Sequence, residues 1–356
     1  MNIYILPNNL AGPRDAFFDT SGLKTTVGGP NALYWHEFRE ACKRAGIEAH
    51  TFDLWKREEA RPDDTLIVIN HPGETFFWRA LYFIKYFKQK GGAILARRRW
   101  LNEHYGSFAK RVLVQVEPPV SMPYVYRRLD AIKKSGVYTK IYLDCKGYGA
   151  DVGYFDYFKD WNKDIASPFF DAPKNKFLVL VNGNTAPHSL VNEFYGERLK
   201  AIRYFSEAPG FDLYGWRWNK IPKHPFFFHY GNYVKRVWRG EIADKIKVMS
   251  DYKFSICFEN CAVPGFVSEK IYDSLAAGCI PVYLGAPDIA EIVPPECFID
   301  FRKFSAGGGK NYAELHKFLA SMPEARIAEY RRAIRAFLAS RTKQGGADIF
   351  LKEILR

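Results

Sequence analysis

The sequence lacks the long apolar runs of a membrane protein, since no segment approaches the roughly 18 uninterrupted apolar residues that a spanning helix needs. The start, Met1-Asn2-Ile3-Tyr4, lacks the basic region, apolar run and cleavage site of a secretion signal. The six cysteines form no Cys-x-x-Cys pair, and no cysteine and histidine cluster completes a zinc ligand set. These absences argue against a membrane span, a disulfide-rich secreted scaffold and a structural zinc site. We therefore expect a cytoplasmic protein whose reduced cysteines pack as small apolar side chains.

The composition that is present is globular, with an excess of positive charge and of aromatic rings. The 356 residues are 47% hydrophobic and 26% charged, and they are enough for two domains of typical size. Aromatic residues make up 17% of the chain, and 52 lysines and arginines against 39 aspartates and glutamates leave a formal net charge of +13. Such a chain suits a partner that is anionic, stackable or both, which describes nucleotides and nucleic acids equally.

Predicted strands and helices alternate along the first half of the chain, a pattern typical of parallel βαβ units. Apolar runs predict strands at residues 3–6, 47–52, 65–70, 93–96 and 111–116, with helices before residue 46 and over residues 76–90. The strand at 111–116 stops at Glu117-Pro118-Pro119 because prolines cannot continue the ladder.

A segment without sustained periodicity, over residues 144–175, predicts a domain boundary near residues 168–175. A second series follows, with strands at 177–181, 211–214 and 254–258 and a helix at 191–206. We therefore predict an N-terminal domain over residues 1–168, a C-terminal domain over residues 169–315, and basic helices over residues 316–356.

The most informative segment, residues 254–285, is predicted to form a strand, a loop, a helix and a second strand. Ser268 suits the helix N-cap and Gly278 its C-terminal end, so Glu269 and Lys270 fall in the first turn. That turn lies at the carboxyl edge of an open α/β sheet, where ligands bind, and its free amides favour an anion such as a pyrophosphate. A capping serine beside a solvated Glu-Lys pair is the structural alternative.

Ordered motifs along residues 190–304 carry a family resemblance. The central matches are residues 258–260 (Phe-Glu-Asn), 267–270 (Val-Ser-Glu-Lys) and 278–288 (Gly-Cys-Ile-Pro-Val-Tyr-Leu-Gly-Ala-Pro-Asp). Flanking matches are Gly240, Lys245 and residues 193–198, 211–215, 252–254, 294–295 and 298–301. Together they closely resemble the α1,3/4-fucosyltransferases of glycosyltransferase family 10. The N-terminal half is similar to that family mainly in layout.

The resemblance implies a GT-B architecture, an α/β fold of two Rossmann-like domains whose parallel sheets face a cleft. It places the donor GDP-β-L-fucose on the C-terminal domain and the acceptor glycan on the N-terminal one. By position, Arg198 and Lys270 would bind the diphosphate, Glu269 the ribose and Asn260 the nucleotide sugar, with Ser268 and Tyr214 in the same donor site. A planar arginine fork suits phosphate oxygens, and two cations can offset the charge that develops on departing GDP.

Two cations at the diphosphate make a resident metal dispensable. The chain also lacks the Asp-x-Asp pattern of metal-bridged nucleotide binding, since Asp63 and Asp64 are adjacent. We therefore expect no required cofactor and no metal-binding residues, with a divalent metal at most stimulating the reaction.

The chain departs from the family pattern at two positions. Phe266 stands where the family often has tyrosine, and Ser268 replaces a threonine. Serine can still cap a helix. At Phe266 the missing tyrosine hydroxyl removes one contact with the nucleotide-sugar donor, worth about 1 kcal/mol.

Inversion from a β-linked donor to an α-linked product requires a base on the acceptor side, and Glu117 is the candidate. It ends a strand, and the family has a glutamate in a similar place, often in a Glu-Ser-Pro context. A strand-terminating glutamate in solvent is the alternative. The acceptor implied is an oligosaccharide or a lipid-linked glycan, with α1,3 transfer to GlcNAc or Glc. His71, in the loop after a predicted strand, is a weaker acceptor-side candidate.

Three alternatives remain open from the sequence. The donor could be another nucleotide sugar, because the Glu-Lys turn reads only diphosphate and ribose. A nucleic-acid-binding protein would use the basic runs at residues 97–100 and 326–343, although no nucleic-acid-reading motif accompanies them. The basic amphipathic helix around Arg331 and Arg335 would either contact an anionic membrane surface peripherally or pack on the body of the protein.

Overall fold

The computed structural model describes residues 1–7, 15–19, 29–72, 85–156, 166–220, 231–306, 309–341 and 346–356. These residues form two compact units. The first unit holds the described residues up to 156 together with residues 346–356, and the second holds residues 166–341.

The first unit is built on a six-stranded parallel sheet with the strand order β2-β1-β3-β4-β5-β6. Its strands are β1 (Asn2–Leu6), β2 (Glu48–Thr51), β3 (Thr65–Ile69), β4 (Lys110–Gln115), β5 (Lys140–Leu143) and β6 (Gly153–Tyr154). Its helices up to residue 156 are α1 (Gly29–Arg44), α2 (Lys85–His104), α3 (Pro123–Arg127) and α4 (Leu129–Lys134). β3 is buried along its whole length, and its residues after Thr65 are all apolar, as expected for a strand covered on both faces.

The second unit contains a five-stranded parallel sheet with the strand order β11-β10-β9-β7-β8. Its strands are β7 (Lys176–Val181), β8 (Phe211–Tyr214), β9 (Tyr252–Phe258), β10 (Ile280–Leu284) and β11 (Ile299–Asp300), followed by the antiparallel pair β12 (Ser305–Ala306) and β13 (Gly309–Lys310). Its helices are α5 (Ala166–Phe170), α6 (Tyr195–Phe205), α7 (Gly231–Val237), α8 (Lys245–Met249), α9 (Glu269–Ala276), α10 (Ile289–Ile292), α11 (Tyr312–Ala320) and α12 (Glu324–Ser340). The predicted α/β class with parallel sheets is therefore confirmed.

The predicted strand at residues 93–96 is wrong, because these residues lie inside α2. The pair Gly91-Gly92 suggested a break, yet a glycine inside a helix costs only about 1 kcal/mol. Tertiary contacts offset that cost: Arg97 is buried and its Nη2 donates to the carbonyls of Ile69 and Asn70, at 2.7 and 3.0 Å. The predicted helix at residues 76–90 lies mostly outside the described residues, and its last six residues form the start of α2.

The unit boundary and the C-terminal region also differ from the prediction. The units divide between residues 157 and 158, about ten residues before the expected boundary. The C-terminal residues form no separate unit. α12 buries Ile327 and Ile334 in the core of the second unit, whereas α13 (Gly346–Leu355) packs on α1 of the first. Each of these helices has one apolar face, and it joins whichever core covers that face.

The arginines of α12 are largely engaged with the protein. Arg331 donates to the Phe170 carbonyl at 2.7 Å, and Arg335 pairs with Asp171. These contacts favour the packed alternative for this helix over a membrane-bound one. No helix in the described part of the chain is both long and apolar enough to span a membrane. All six cysteines are buried and free, as expected.

Candidate active site

The second sheet has a topological switch point between β7 and β9. These two strands are neighbours, while β8 lies outside β7 and β10 outside β9, so the chain leaves the pair in opposite directions. In open α/β sheets such a point creates a crevice at the carboxyl ends of the strands. A small cavity lies there, lined by the strand ends of β7 and β9 and by the cations Arg198, Lys245 and Lys270.

Arg198 reaches this cavity from α6 and is 4% exposed. Its Nε and Nη2 donate to the Phe258 carbonyl at 3.0 and 2.8 Å, and Nη2 also donates to Asn260 Oδ1 at 2.8 Å. The guanidinium carbon lies 4.8 Å from the centre of the Tyr195 ring. Burial lowers the pKa of Arg198 from its ordinary value, although an arginine stays charged at neutral pH. The structure thus fixes one edge of a guanidinium at the carboxyl end of β9.

Glu259 organises the start of α9. It is fully buried, and its Oε1 accepts from the Ser268 N–H at 2.8 Å, while its Oε2 accepts from the Ser268 hydroxyl at 2.6 Å. Lys270 Nζ donates to the Ser268 hydroxyl at 2.8 Å and lies 3.4 Å from Glu259 Oε2. Ser268 occupies the N-cap position, as predicted, but its hydroxyl makes no capping hydrogen bond to the helix. The hydroxyl instead donates to the buried Glu259 carboxylate and accepts from Lys270 Nζ, so its oxygen is engaged away from the helix amides.

Glu269 stands between two ammonium groups. Its Oε1 lies 3.5 Å from Lys270 Nζ and 3.8 Å from Lys245 Nζ. Burial by itself would raise the pKa of Glu269, but the two lysines outweigh it and hold that pKa at about 2. The Glu269 side chain remains 29% exposed, so an ionised carboxylate is presented beside the three cations. Such a carboxylate can accept hydrogen bonds from hydroxyl groups.

Asn260 joins this cluster through Arg198, whereas Tyr214 does not. The Tyr214 hydroxyl lies 3.3 Å from that of Tyr252, which in turn donates to Asp212 Oδ2 at 2.7 Å. Tyr252 begins β9, at the end of the strand opposite to the cation cavity. The structure therefore places Arg198, Asn260, Ser268, Glu269 and Lys270 together and leaves the Tyr214 hydroxyl elsewhere.

Three charged residues of this cluster received no role from the sequence: Glu259, Lys245 and Asp273. Lys245 Nζ lies 2.6 Å from Oδ2 of Asp273, which is fully buried on the second turn of α9. Glu259 and Lys245 fall within matched motifs, but only the folded chain reveals their partners. Phe266, which replaces the family tyrosine, is 3% exposed. Its ring is thus part of the packing before α9.

In the first unit, Glu117 lies at the carboxyl end of β4, as predicted, and is half-buried. Its N–H donates to Asn70 Oδ1 at 3.2 Å. Its carbonyl accepts from Gln115 Nε2 at 3.0 Å and from the Tyr126 hydroxyl at 2.8 Å. Asn70 and Gln115 are both fully buried, so the backbone that carries the Glu117 carboxylate is held by buried amides.

His71 follows β3 at the same edge of that sheet. Its N–H donates to Gln115 Oε1 at 3.1 Å, and its Nδ1 lies 2.8 Å from the Tyr138 hydroxyl. Burial, with added repulsion from Arg98 and Arg97, lowers the pKa of His71 to about 4. The imidazole is therefore neutral at neutral pH and acts as a hydrogen-bonding group.

Two further expectations concern a metal and the basic residues at 97–100. Among the described residues, no group of three or more His, Cys, Asp or Glu could hold a metal ion. Arg97, counted among the basic residues of the nucleic-acid alternative, is buried against β3 and unavailable to a polyanion. Trp35 and Trp55 are also buried, so neither indole is free to stack on a ligand.

The family resemblance is confirmed by comparison with known proteins. Residues 193–333 match the family "Glycosyltransferase family 10 (fucosyltransferase) C-term". An alpha-(1,4)-fucosyltransferase of Arabidopsis thaliana is 43% identical over 58 residues, which are 16% of this chain and 14% of that protein. The alpha-(1,3)-fucosyltransferase FucT of Helicobacter pylori is 36% identical over 77 residues, which are 21% of this chain and 16% of that protein. The chain thus spans less than a fifth of the length of these relatives.

A solved structure extends the likeness to both units. The crystal structure of T4 phage BGT with its UDP-glucose substrate aligns with a TM-score of 0.53 at 12% identity, covering 99% of each chain. At that identity the likeness concerns the fold alone, and it confirms the GT-B fold class.

Proposed function

Residues 193–333 carry a C-terminal domain of glycosyltransferase family 10, and from this premise we propose that the protein transfers L-fucose from GDP-β-L-fucose to a hydroxyl group of an acceptor glycan. The observation that carries the proposal is the cavity at the β7–β9 switch point, where Arg198, Lys245 and Lys270 converge within the matched segment. A diphosphate is the part of a nucleotide sugar that such a cluster of cations suits.

The donor-site roles follow from the geometry of each side chain. Arg198 and Lys270 bind the diphosphate, because both line the cavity and both are held in place by buried partners. Glu269 binds the ribose hydroxyls through a carboxylate that stays ionised far below neutral pH. Asn260, which already accepts from Arg198, offers its amide N–H groups to the nucleotide sugar. Ser268 positions Lys270 and is a positioning residue.

The reaction is a single displacement with inversion at the anomeric carbon. The acceptor hydroxyl oxygen forms a bond to that carbon while the bond from carbon to the β-phosphate oxygen breaks, and its electron pair leaves with GDP. Glu117 takes the hydroxyl proton. Arg198 and Lys270 stabilise the charge that develops on GDP, so the chemistry requires no metal, although a divalent ion would stimulate it by adding to that charge stabilisation. The acceptor is an oligosaccharide or lipid-linked glycan, with α1,3 transfer to GlcNAc or Glc.

A donor screen tests this proposal directly. Nucleotide release is measured with GDP-fucose, GDP-mannose and UDP sugars as donors and a panel of glycans as acceptors. Acceptor-dependent release from GDP-fucose is the expected result. Release from another donor alone would replace the fucose assignment, and binding of DNA without binding of GDP would favour the nucleic-acid alternative.

Two variants test the assigned residues. Arg198→Ala should bind GDP weakly by calorimetry, whereas Arg203→Ala, on the exposed face of the same helix, should bind as the wild type does. Glu117→Gln should fold and bind GDP yet transfer almost nothing, with Glu103→Gln, an exposed residue of the first unit, as control. An unchanged GDP dissociation constant in Arg198→Ala would reject the phosphate role, and near wild-type turnover by Glu117→Gln would reject the base.

A further inference from the structure

We propose that Lys245 is a positioning residue for the ribose-binding carboxylate: anchored by Asp273, it holds Glu269 in place when the donor diphosphate engages Lys270. The inference rests on the proposed function, because it assumes that Glu269 faces a nucleotide ribose and that Lys270 faces its phosphates. The inference is based on contacts between helices α8 and α9. Lys245 is the first residue of α8, and both of its carboxylate partners lie on α9.

The contacts give Lys245 a fixed position. Glu269 and Asp273 are four residues apart on α9 and so share one face of the helix. Lys245 Nζ lies 2.6 Å from Asp273 Oδ2 and 3.8 Å from Glu269 Oε1. Asp273 is fully buried and the Lys245 side chain is 11% exposed, whereas Glu269 is 29% exposed. Glu269 is therefore the most exposed member of this trio, and it is supported by the buried Asp273 and by Lys245, which also lines the cavity.

The charge arrangement explains why one lysine does not suffice. In the protein without donor, Glu269 is attracted by both Lys270 and Lys245. A bound diphosphate competes for Lys270, which weakens its attraction for the carboxylate. Lys245 is also held by the buried carboxylate of Asp273. It remains charged because the carboxylates of Asp273 and Glu269 outweigh the effect of burial and raise its pKa. It thus restrains the carboxylate while the phosphates bind.

The other charged groups around Glu269 do not replace Lys245. Lys270 belongs to the same helix and is drawn towards the phosphates, and Arg198, which approaches from α6, is bound to the Phe258 carbonyl and Asn260. Both of these cations serve the diphosphate in the proposed reaction. Lys245 is therefore the cation that still attracts the Glu269 carboxylate when the diphosphate is bound, and its loss removes that attraction.

The experiment compares two ligands, GDP and inorganic pyrophosphate, by calorimetry on the full chain. The test variant is Lys245→Met with Asp273→Asn, because removing the lysine alone would leave a buried carboxylate uncompensated and endanger folding. Lys247→Met, an exposed lysine on the same helix, is the control. The triple variant Lys245→Met, Asp273→Asn, Glu269→Gln and the single variant Glu269→Gln are also measured, which completes a double-mutant cycle between the Lys245–Asp273 pair and Glu269.

We expect the Lys245→Met, Asp273→Asn variant to bind GDP about tenfold more weakly and to bind pyrophosphate as the wild type does. In the Glu269→Gln background the same pair of substitutions should change GDP affinity little, because its effect acts through Glu269. The pKa of Glu269 should rise in the variant, so its GDP affinity should fall at a higher pH than that of the wild type as the solution is acidified.

An equal loss of GDP and pyrophosphate affinity would show that Lys245 is a direct phosphate ligand and overturn the inference. Full additivity with Glu269→Gln, or a pH profile that stays parallel to that of the wild type, would overturn it as well. Failure of the proposed donor looks different, since the wild type itself would then not bind GDP, whatever its affinity for pyrophosphate.

Discussion

The neutral imidazole of His71 makes the acid stability of the protein quantitatively predictable. Its pKa lies at about 4 in the folded protein, against an ordinary value of 6.5. Between these two values the unfolded chain binds a proton that the folded chain refuses, so the free energy of unfolding falls as the pH falls through this window. The difference of about 2.5 pKa units corresponds to an upper limit of about 3 kcal/mol.

The substitution His71→Asn isolates this contribution. Asparagine keeps a polar group near Nδ1, which lies 2.8 Å from the Tyr138 hydroxyl, but it cannot titrate. The variant should be less stable than the wild type near pH 7.5, by about 1 kcal/mol for an impaired hydrogen bond. Its stability should then fall less steeply on acidification, and the two curves should converge or cross, because the wild type alone loses the histidine contribution. Carboxylates titrate in both proteins and cancel from the difference.

Urea unfolding at a series of pH values, followed by tryptophan fluorescence, measures both slopes. A direct check is the chemical shift of the labelled imidazole, which should titrate near pH 4. The matched control is His188→Asn, an exposed histidine in the second unit. Parallel pH dependences for the wild type and His71→Asn, or titration of the imidazole near 6.5, would refute the reasoning.

Three further substitutions test the packing of both units. Glu259→Gln should lower the free energy of unfolding by about 2 kcal/mol, because it removes a buried, charged hydrogen-bond acceptor that faces Lys270. A decrease in the free energy of unfolding below about 0.5 kcal/mol, measured in urea, would contradict this. Gly215→Ala should weaken GDP binding measured by calorimetry. The φ angle of Gly215 is +131°, and a Cβ there would lie 1.9 Å from the carbonyl oxygen of Asn182, which lines the cavity. A wild-type affinity for GDP would contradict this argument. Phe350→Ala should destabilise the first unit by about 4 kcal/mol in urea unfolding, because the buried Phe350 ring of α13 packs in the aromatic core of that unit. Phe350→Leu is the control and should lose less stability. If Phe350→Ala were as stable as the wild type, the packing of α13 would contribute nothing to the unit.

The segment from β9 to β10 illustrates what local sequence predicts well. β10 is a continuous apolar run and β9 is largely apolar, and all residues of both strands except Lys253 are buried, as expected in the middle of a parallel sheet. Gly278 ends the intervening helix at φ +64°, where a Cβ would lie 2.4 Å from the Phe170 carbonyl oxygen. Strand, helix and cation-bearing turn were therefore predicted from residues adjacent in sequence. The position of Arg198 in the same cavity came from the family resemblance.

Interactions between distant residues account for the differences. Residues 93–96 are helical because Arg97 finds carbonyl acceptors at the end of β3, which local patterning cannot register. The Ser268 hydroxyl turns away from its helix because Glu259 is buried beside it. The Tyr214 hydroxyl meets Tyr252 instead of the cavity, since the strand fixes the direction of its ring.

Periodicity and neighbouring residues were enough to predict the class of fold and a binding site built at a helix start, but not every element, since residues 93–96 are helical and β5 and β6 were not predicted. The tertiary structure decided how the charges of that site are paired. Lys245 and Asp273 are 28 positions apart, and Glu259 meets Lys270 across a loop. Whether a carboxylate faces a ligand or neutralises a lysine depends on distances of a few ångströms, and these exist only once the strands have assembled into a sheet.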